Sequence, residues 1–374
     1  MNYDFSEKEL AFFIDIQNIM QKLSEEKNLE AGGPEENIRA VIDRLAKTPY
    51  LNLAIQEEKE YNGLLTLMGA MEVVGAFSPS VLLSVEMSTR VFGKIVAELC
   101  DDRLKGNLLT PLLEGKILGA VAVSEDSMNV ENEPLKTEGR ADRDKVIVNG
   151  AKQYVVNAPL ADWIAVAGMM DGKPVVFMVE KGTKGLVVEE KMSMVGYDGA
   201  AVSGIRLEGC SIDAANVIGP FDKVDILSKI KMWENQVLLG ASLGLMKSAY
   251  EAARDYAKSH KSGGKPVIAY QEVGFKLAEM LTLFQTSQLF AYRAAWNAAD
   301  NPKDADSFTL SSKVFLTESA EQVASSALQI LAGSGYQTGN AAERAFRCSK
   351  YLQIAGTSTE ISRVKIGDAA MGIR

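Results

Sequence analysis

The stretch that decides the fold is Gln329–Ile361, QILAGSGYQTGNAAERAFRCSKYLQIAGTSTEI. A helix ends at Gly333-Ser334-Gly335-Tyr336, and a second helix starts with Glu343 and Arg344 in its first turns. The segment Gly356-Thr357-Ser358-Thr359-Glu360 closes it. Glycine stops helices because it accepts backbone angles other residues avoid, and hydroxyl and acidic side chains cap the next start. Capping alone accounts for each signal singly; the conjunction is far less common.

Working outward, the chain before this stretch is helical from about Asp225. Helices are expected near Ile226–Ser259, Tyr270–Asp300 and Ser307–Leu331, with a turn at Ser262-Gly263-Gly264-Lys265-Pro266. Helices of this length with short connections suit a four-helix bundle. Between about 119 and 224 the apolar period changes to that of strands. Ala120–Val123, Lys145–Gly150, Trp163–Ala167, Val175–Val179, Gly185–Val188, Gly204–Gly209 and Ala215–Gly219 read as short strands, several separated by Asp-Gly or Gly-Lys pairs. That spacing predicts a small antiparallel sheet domain or barrel. Residues 1–118 read as helices: one capped within Asp4–Glu9, one carrying Ile38, Val41, Ile42 and Leu45, apolar helices over Leu64–Ala76 and Ser80–Leu99, and one ending at Gly115,. The expected class is α+β, with an N-terminal helical domain (1–118), a β-domain (119–224) and a C-terminal bundle (225–374).

Composition narrows the chemistry. The 374 residues carry a formal charge of −9 and 47% hydrophobic residues. An acidic chain without a basic stripe gives a nucleic-acid role little support. Cys100, Cys210 and Cys348 are scattered without pair spacing, which suits a reducing compartment and neither a disulfide framework nor a zinc site. With His260 as the single histidine, a multi-histidine metal centre is excluded. The N-terminus lacks a basic region ahead of an apolar one, and no window reaches the roughly 20 apolar residues that span a bilayer. A cytoplasmic protein is the expectation.

Five segments, in order, carry a resemblance. Leu112-Leu113-Glu114-Gly115 with Ser124-Glu125 is similar to "LxxGe…LTEP". Val148-Asn149-Gly150-Ala151-Lys152-Gln153-Tyr154-Val155-Val156-Asn157-Ala158 is similar to "LNGxKxWITNA", with Ala161-Asp162 following at the expected place. Gln329–Tyr336 is similar to "QxxGGxGY", and Glu343–Lys350 to "ERxYRDAK". Over essentially its whole length the chain resembles the acyl-CoA dehydrogenase family of flavoproteins. The resemblance implies FAD between β-domain and bundle, a homotetramer or related oligomer with a second subunit completing the site, and α,β-dehydrogenation of an acyl-CoA thioester. It also implies electron transfer to an electron-transferring flavoprotein.

Such a reaction needs a carboxylate within reach of a weakly acidic α-proton, desolvated enough to be basic. It needs donors for the enolate-like charge and a flavin fixed by backbone and hydroxyl contacts. The family's usual glutamate aligns with Gly356, so that base is missing here. Some members carry it on the first long bundle helix, and that alignment puts Glu234 in its place; Glu86 is a second candidate. Implied flavin contacts are Ser124, Glu125, Tyr154 (for the family's tryptophan), Val156 (for its threonine) and His260 (for a pyrophosphate arginine). Gln329, Gly333, Ser358, Thr359 and Glu360 fall toward the adenosine end. Asp126-Ser127-Met128-Asn129 replaces the family's "aGSD", and Asn235 replaces an arginine.

Three readings remain open on sequence alone. One is an active dehydrogenase with a relocated base. Another is a non-catalytic or half-site subunit of a heteromer, with weakened or absent FAD binding. The third is non-redox or oxygen chemistry on the same fold.

Overall fold

A computed structural model describes residues 4–31, 33–56, 60–126, 135–222, 225–300 and 302–373. It opens with α1 (Glu7–Glu26), started by a reciprocal cap in which Ser6 Oγ accepts from the Glu9 amide and the Glu9 carboxylate accepts from the Ser6 amide,. α2 (Pro34–Leu45) follows, with proline at its first position, where a missing N–H costs nothing,. α3 (Gly63–Phe77) is apolar on nearly every side and is sunk among its neighbours,. α4 (Pro79–Glu86) runs without a break into a π-helical segment, Met87–Phe92, and on into α5 (Gly93–Leu99). The sequence predicts helix over 80–99, and the chain is helical there, but its middle is wound more widely. α6 (Asp102–Leu113) ends at Gly115, whose φ of +71° turns the chain toward the sheet,.

The sheet comprises β1 (Gly119–Ala122), β2 (Glu138–Asp142), β3 (Lys145–Val156), β4 (Trp163–Met170), β5 (Lys173–Glu180), β6 (Leu186–Val188), β7 (Val202–Asp213) and β8 (Val217–Ile218). Its order is β6-β7-β3-β2-β4-β5-β8, with β1 also on β4. Asp171 and Gly172, with φ of 51° and 74°, form the tight turn between β4 and β5,. Pairing is antiparallel except that β1 and β2 both run parallel to β4. The reason for the β1–β4 pair is visible at its start: the Leu118 amide donates to the Asp162 carboxylate at 2.8 Å, so the two strands leave from the same end. β2, with the sequence EGRAD, has no apolar alternation and was not among the expected strands. The expected strand at Ala215–Gly219 is instead a 3₁₀ turn, Ala214–Asn216, followed by the two-residue β8.

The C-terminal helical domain is α7 (Ile226–Ser259), a short hairpin of β9 (Lys261–Ser262) and β10 (Lys265–Pro266), then α8 (Gln271–Asp300), α9 (Pro302–Leu331), α10 (Ala341–Ile354) and α11 (Thr359–Ala370). α7 begins at the cap Asp225, which accepts from the Ser228 amide, and packs on α3, α9 and α10. Where α7 crosses α3 the backbones touch: a Cβ added to Gly244 would lie 2.6 Å from the Gly75 carbonyl carbon. This contact fixes the helix that carries Glu234. Among the described residues no helix is long and apolar enough to cross a membrane. No group of three or more His, Cys, Asp or Glu side chains there is placed to hold a metal.

Candidate active site

The π segment, the sheet edge, α7 and α10 enclose a cavity of about 50 Å³. Met87 and Val91 come from the π segment, Ile230 and Glu234 from α7, and Tyr351 from α10. Ser124, Tyr154 and Val156 face them from the sheet. Two anchors tie these walls together. Asn157 Nδ2 donates to the Ser84 carbonyl at 2.8 Å, and the Gly119 amide donates to Ser88 Oγ at 2.9 Å.

On the sheet side, the β3–β7 ladder slips between Lys152 and Val155. In that slip Tyr154 takes a φ of 57° and turns its ring out, 58% exposed, while Val156 stays buried. A left-handed tyrosine is costly in a strand and marks a place where the backbone serves something other than pairing. The Gln153 amide bonds the Ser124 carbonyl at 2.9 Å, holding Ser124 beside it.

Glu125 does not line this cavity. It is buried, and its carboxylate accepts from the Lys136 and Thr137 amides, Thr137 Oγ1 and Lys152 Nζ, the last at 2.8 Å. Burial pushes its pKa up, but the bonds from Lys152 and Thr137 outweigh that and hold the carboxyl below the usual range,. Its partner Lys152, wholly buried, is lowered to about 8 by burial despite the Glu125 charge.

On the helix side, Glu234 stands at the cavity with Gly356 against it. The Gly356 amide donates to the Glu234 carboxylate. Burial holds this carboxyl above the usual carboxylate range, against the pull of Lys313, Lys231 and that amide,. Burial and the nearby Glu234 together raise the Tyr351 phenol. The loop behind Glu234 is pinned from two helices. Asn235 Oδ1 accepts from the Thr357 amide at 3.0 Å and Asn235 Nδ2 donates to Thr357 Oγ1 at 3.1 Å. From α9, Lys313 Nζ donates to the Ala355 carbonyl at 2.7 Å and also to that of Thr357.

Glu86 lies apart from the cavity wall. It is fully buried one residue before the π segment, paired with Arg90 at 3.2 Å beneath Tyr50, and burial raises its carboxyl as well. Of the remaining sequence candidates, Thr359 is buried at the start of α11 and the others are exposed or half-exposed. His260 ends α7, exposed and stacked on Tyr256 with ring centroids 4.6 Å apart. Gln329 and Gly333 are exposed at the end of α9. Ser358 caps α11, and Glu360 is exposed in its first turn. Within one chain these surface residues do not line the cavity that holds Glu234 and Tyr154. Ser127, Met128 and Asn129 lie outside the described residues. Sequence reasoning missed Lys313: nothing near it in the chain signals that a lysine in a bundle helix is wholly buried.

The arrangement places one partly buried acid across a narrow cavity from an exposed aromatic ring, with the apolar side chains of Met87, Val91 and Ile230 between. In a larger cleft of about 540 Å³, Arg347 is paired with Asp198 at 2.7 Å.

Comparison with known proteins agrees with this layout. Residues 120–210 match the acyl-CoA dehydrogenase middle domain and residues 229–371 the acyl-CoA dehydrogenase C-terminal domain. The chain is 26% identical to a 3-(aryl)acrylate reductase of Clostridium sporogenes, covering 95% of this chain and 98% of that one. It is 25% identical to the benzylmalonyl-CoA dehydrogenase of Aromatoleum aromaticum, covering 98% of both. Its fold superposes on butyryl-CoA dehydrogenase from Megasphaera elsdenii with a TM-score of 0.91 at 21% identity, over 99% of this chain and 100% of that one. The sheet and the bundle that build the cavity are thus the middle and C-terminal domains of a FAD-dependent enzyme family, and the chain belongs to the acyl-CoA dehydrogenase family.

Proposed function

We propose that this enzyme oxidises the Cα–Cβ bond of an acyl-CoA thioester, with FAD as acceptor and Glu234 as the base. The observation that carries this reading is the position of Glu234: an acid desolvated at the cavity wall, opposite Tyr154 and Ser124. The ring end of FAD fits the residues present. Tyr154, in a left-handed conformation near the end of β3, offers a largely exposed ring. Ser124 beside it offers a hydroxyl, and the buried Val156 offers an apolar floor.

Bound FAD supplies the acceptor for the hydride that leaves Cβ. The residues of the chain do the rest. Met87, Val91 and Ile230 exclude water from the acyl group, so charge interactions in the slot are stronger than in solvent. Glu234 takes the α-proton onto a carboxylate oxygen, and its burial makes that oxygen a better base than an ordinary surface carboxylate,. The Gly356 amide holds the carboxylate in one orientation. Exposed apolar side chains on the bundle, Leu289 on α8, Phe346 on α10 and Val364 on α11, support self-association as a homotetramer or with a related chain. Electrons then pass to an electron-transferring flavoprotein.

The test is anaerobic addition of short acyl-CoAs to the purified protein while flavin absorbance is followed. Glu234→Gln is expected to slow bleaching by about 10²-fold or more, within the range for loss of a general base. Full bleaching in that variant would overturn the assignment of the base.

One observation favours the half-site alternative. The residue aligned with the pyrophosphate arginine is His260, exposed and stacked on its own helix, and it lacks the planar fork of donors with which arginine grips a phosphate. FAD at well under one per chain in purified protein, restored by co-expression with a related chain, would establish that reading in place of the first.

A further inference from the structure

The family's glutamate position is occupied here by glycine, and the residues around that glycine form a clamp. Gly356 has a φ of +63°. Its neighbours on both sides are held by side chains from different helices. Asn235 of α7 takes both the amide and the hydroxyl of Thr357. Lys313 of α9, wholly buried, takes the carbonyls of Ala355 and Thr357. A buried ammonium is expensive to desolvate, and two carbonyl dipoles do not neutralise it. Its charge acts on the Glu234 carboxylate.

We propose that Lys313 and Asn235 are positioning residues for Glu234: they clamp the 355–357 loop so that the Gly356 amide meets the Glu234 carboxylate, and the Lys313 ammonium balances its charge. This rests on Glu234 being the base. The groups that face Glu234 are Lys313 from α9, Lys231 from its own helix, the Tyr351 phenol from α10 and the Tyr154 phenol from the sheet; the π segment presents Met87 and Val91. Lys313 is the cation among them that also grips the loop. Removing it takes away an attraction for the ionised carboxylate and frees the amide that donates to it.

The experiment reads the Glu234 carboxyl directly. An infrared pH titration of the purified full chain, each variant referenced to its own Glu234→Gln partner, gives the midpoint at which this carboxyl ionises. Lys313→Met is expected to move the midpoint to higher pH, and Lys313→Arg to return it toward the wild-type value. Flavin reduction in Lys313→Met should fall about tenfold on the acid side and recover toward high pH, as a general base with a displaced titration does. Asn235→Ala, which loosens the loop without removing a charge, should move the midpoint in the same direction. A folded Lys313→Met with a lower melting temperature and an unchanged midpoint would overturn the proposal. If Lys313→Met fails to fold, an unchanged midpoint in Asn235→Ala overturns it instead. Failure of the base assignment looks different, because Glu234→Gln would then keep bleaching the flavin whatever the midpoints did.

Discussion

A Cβ built on Gly356 would lie 2.4 Å from Asn235 Oδ1 and 3.2 Å from a Leu238 methyl carbon. Position 356 is therefore closed to any side chain while Asn235 keeps its two bonds to Thr357. Glycine is required twice over, by its left-handed backbone and by the amide oxygen above it.

Gly356→Ala should destabilise the protein by about 1–3 kcal/mol, from left-handed strain and the contact with Asn235 together. In an Asn235→Ala background the same change should cost less, because the oxygen it meets is gone. Urea unfolding of the four proteins in the cycle measures the coupling. Strict additivity would mean that Asn235 does not set the size limit at 356.

The rate of flavin reduction should rise with pH through the ionisation of Glu234. Burial holds this carboxyl above its ordinary range. It is protonated and unable to accept the α-proton below that value, and ionised above it. The acid limb is expected above the pH of about 4.3 at which an unperturbed glutamate titrates. Stopped-flow reduction across the acid range checks this; a limb at or below the ordinary value would contradict the desolvated base.

Lys152→Met should cost about 3–5 kcal/mol, because it leaves the ionised Glu125 buried opposite an apolar side chain,. Adding Glu125→Gln should recover much of that loss. The Glu125 carboxyl is held below its usual range in the fold. Its contribution is therefore present above the unfolded value, about 4.3, and is lost as pH falls through the folded one. Urea midpoints in neutral and acid buffer test both statements, and a loss under about 1 kcal/mol at neutral pH would sink the first.

Tyr154→Gly separates cofactor contact from backbone strain. Glycine in a strand normally costs about 0.5–1 kcal/mol, but here it also relieves a φ of 57°. Stability of the flavin-free protein should change by less than about 0.5 kcal/mol, while FAD affinity falls about tenfold through loss of the ring. Thermal melts and flavin titration read the two effects. A large loss of stability with unchanged affinity would show that the ring serves the fold alone.

Much of this was legible in the chain itself. The limits of α7 are those its cap and apolar period predict, and the glycine at 356 and the asparagine at 235 both stood out as departures from the family pattern. Their contact did not, because 121 residues separate them and nothing local encodes it. The same distance effect hid Lys313 in the wall of a bundle. β2 escaped because strand patterning reads burial, and Glu138–Asp142 alternates no apolar face toward a core. Glu125 was expected at the flavin because it falls, with Ser124, on the family's motif; the pair lies in the irregular segment after β1, where Ser124 is exposed and Glu125 turns inward to Lys152 and Thr137.

The π segment at Met87–Phe92 holds one residue more than an α-helix of the same rise would need,. Deleting a single residue there would let α4 and α5 join as one regular helix with α5 kept in place, so the change would be confined to the side chains of the segment itself. Met87 and Val91 share the cavity wall, and a one-residue deletion between them would leave them three apart instead of four, on the same face but closer along the helix. A change in chain length at this point would therefore alter the spacing of the cavity's apolar wall without altering any side chain that remains.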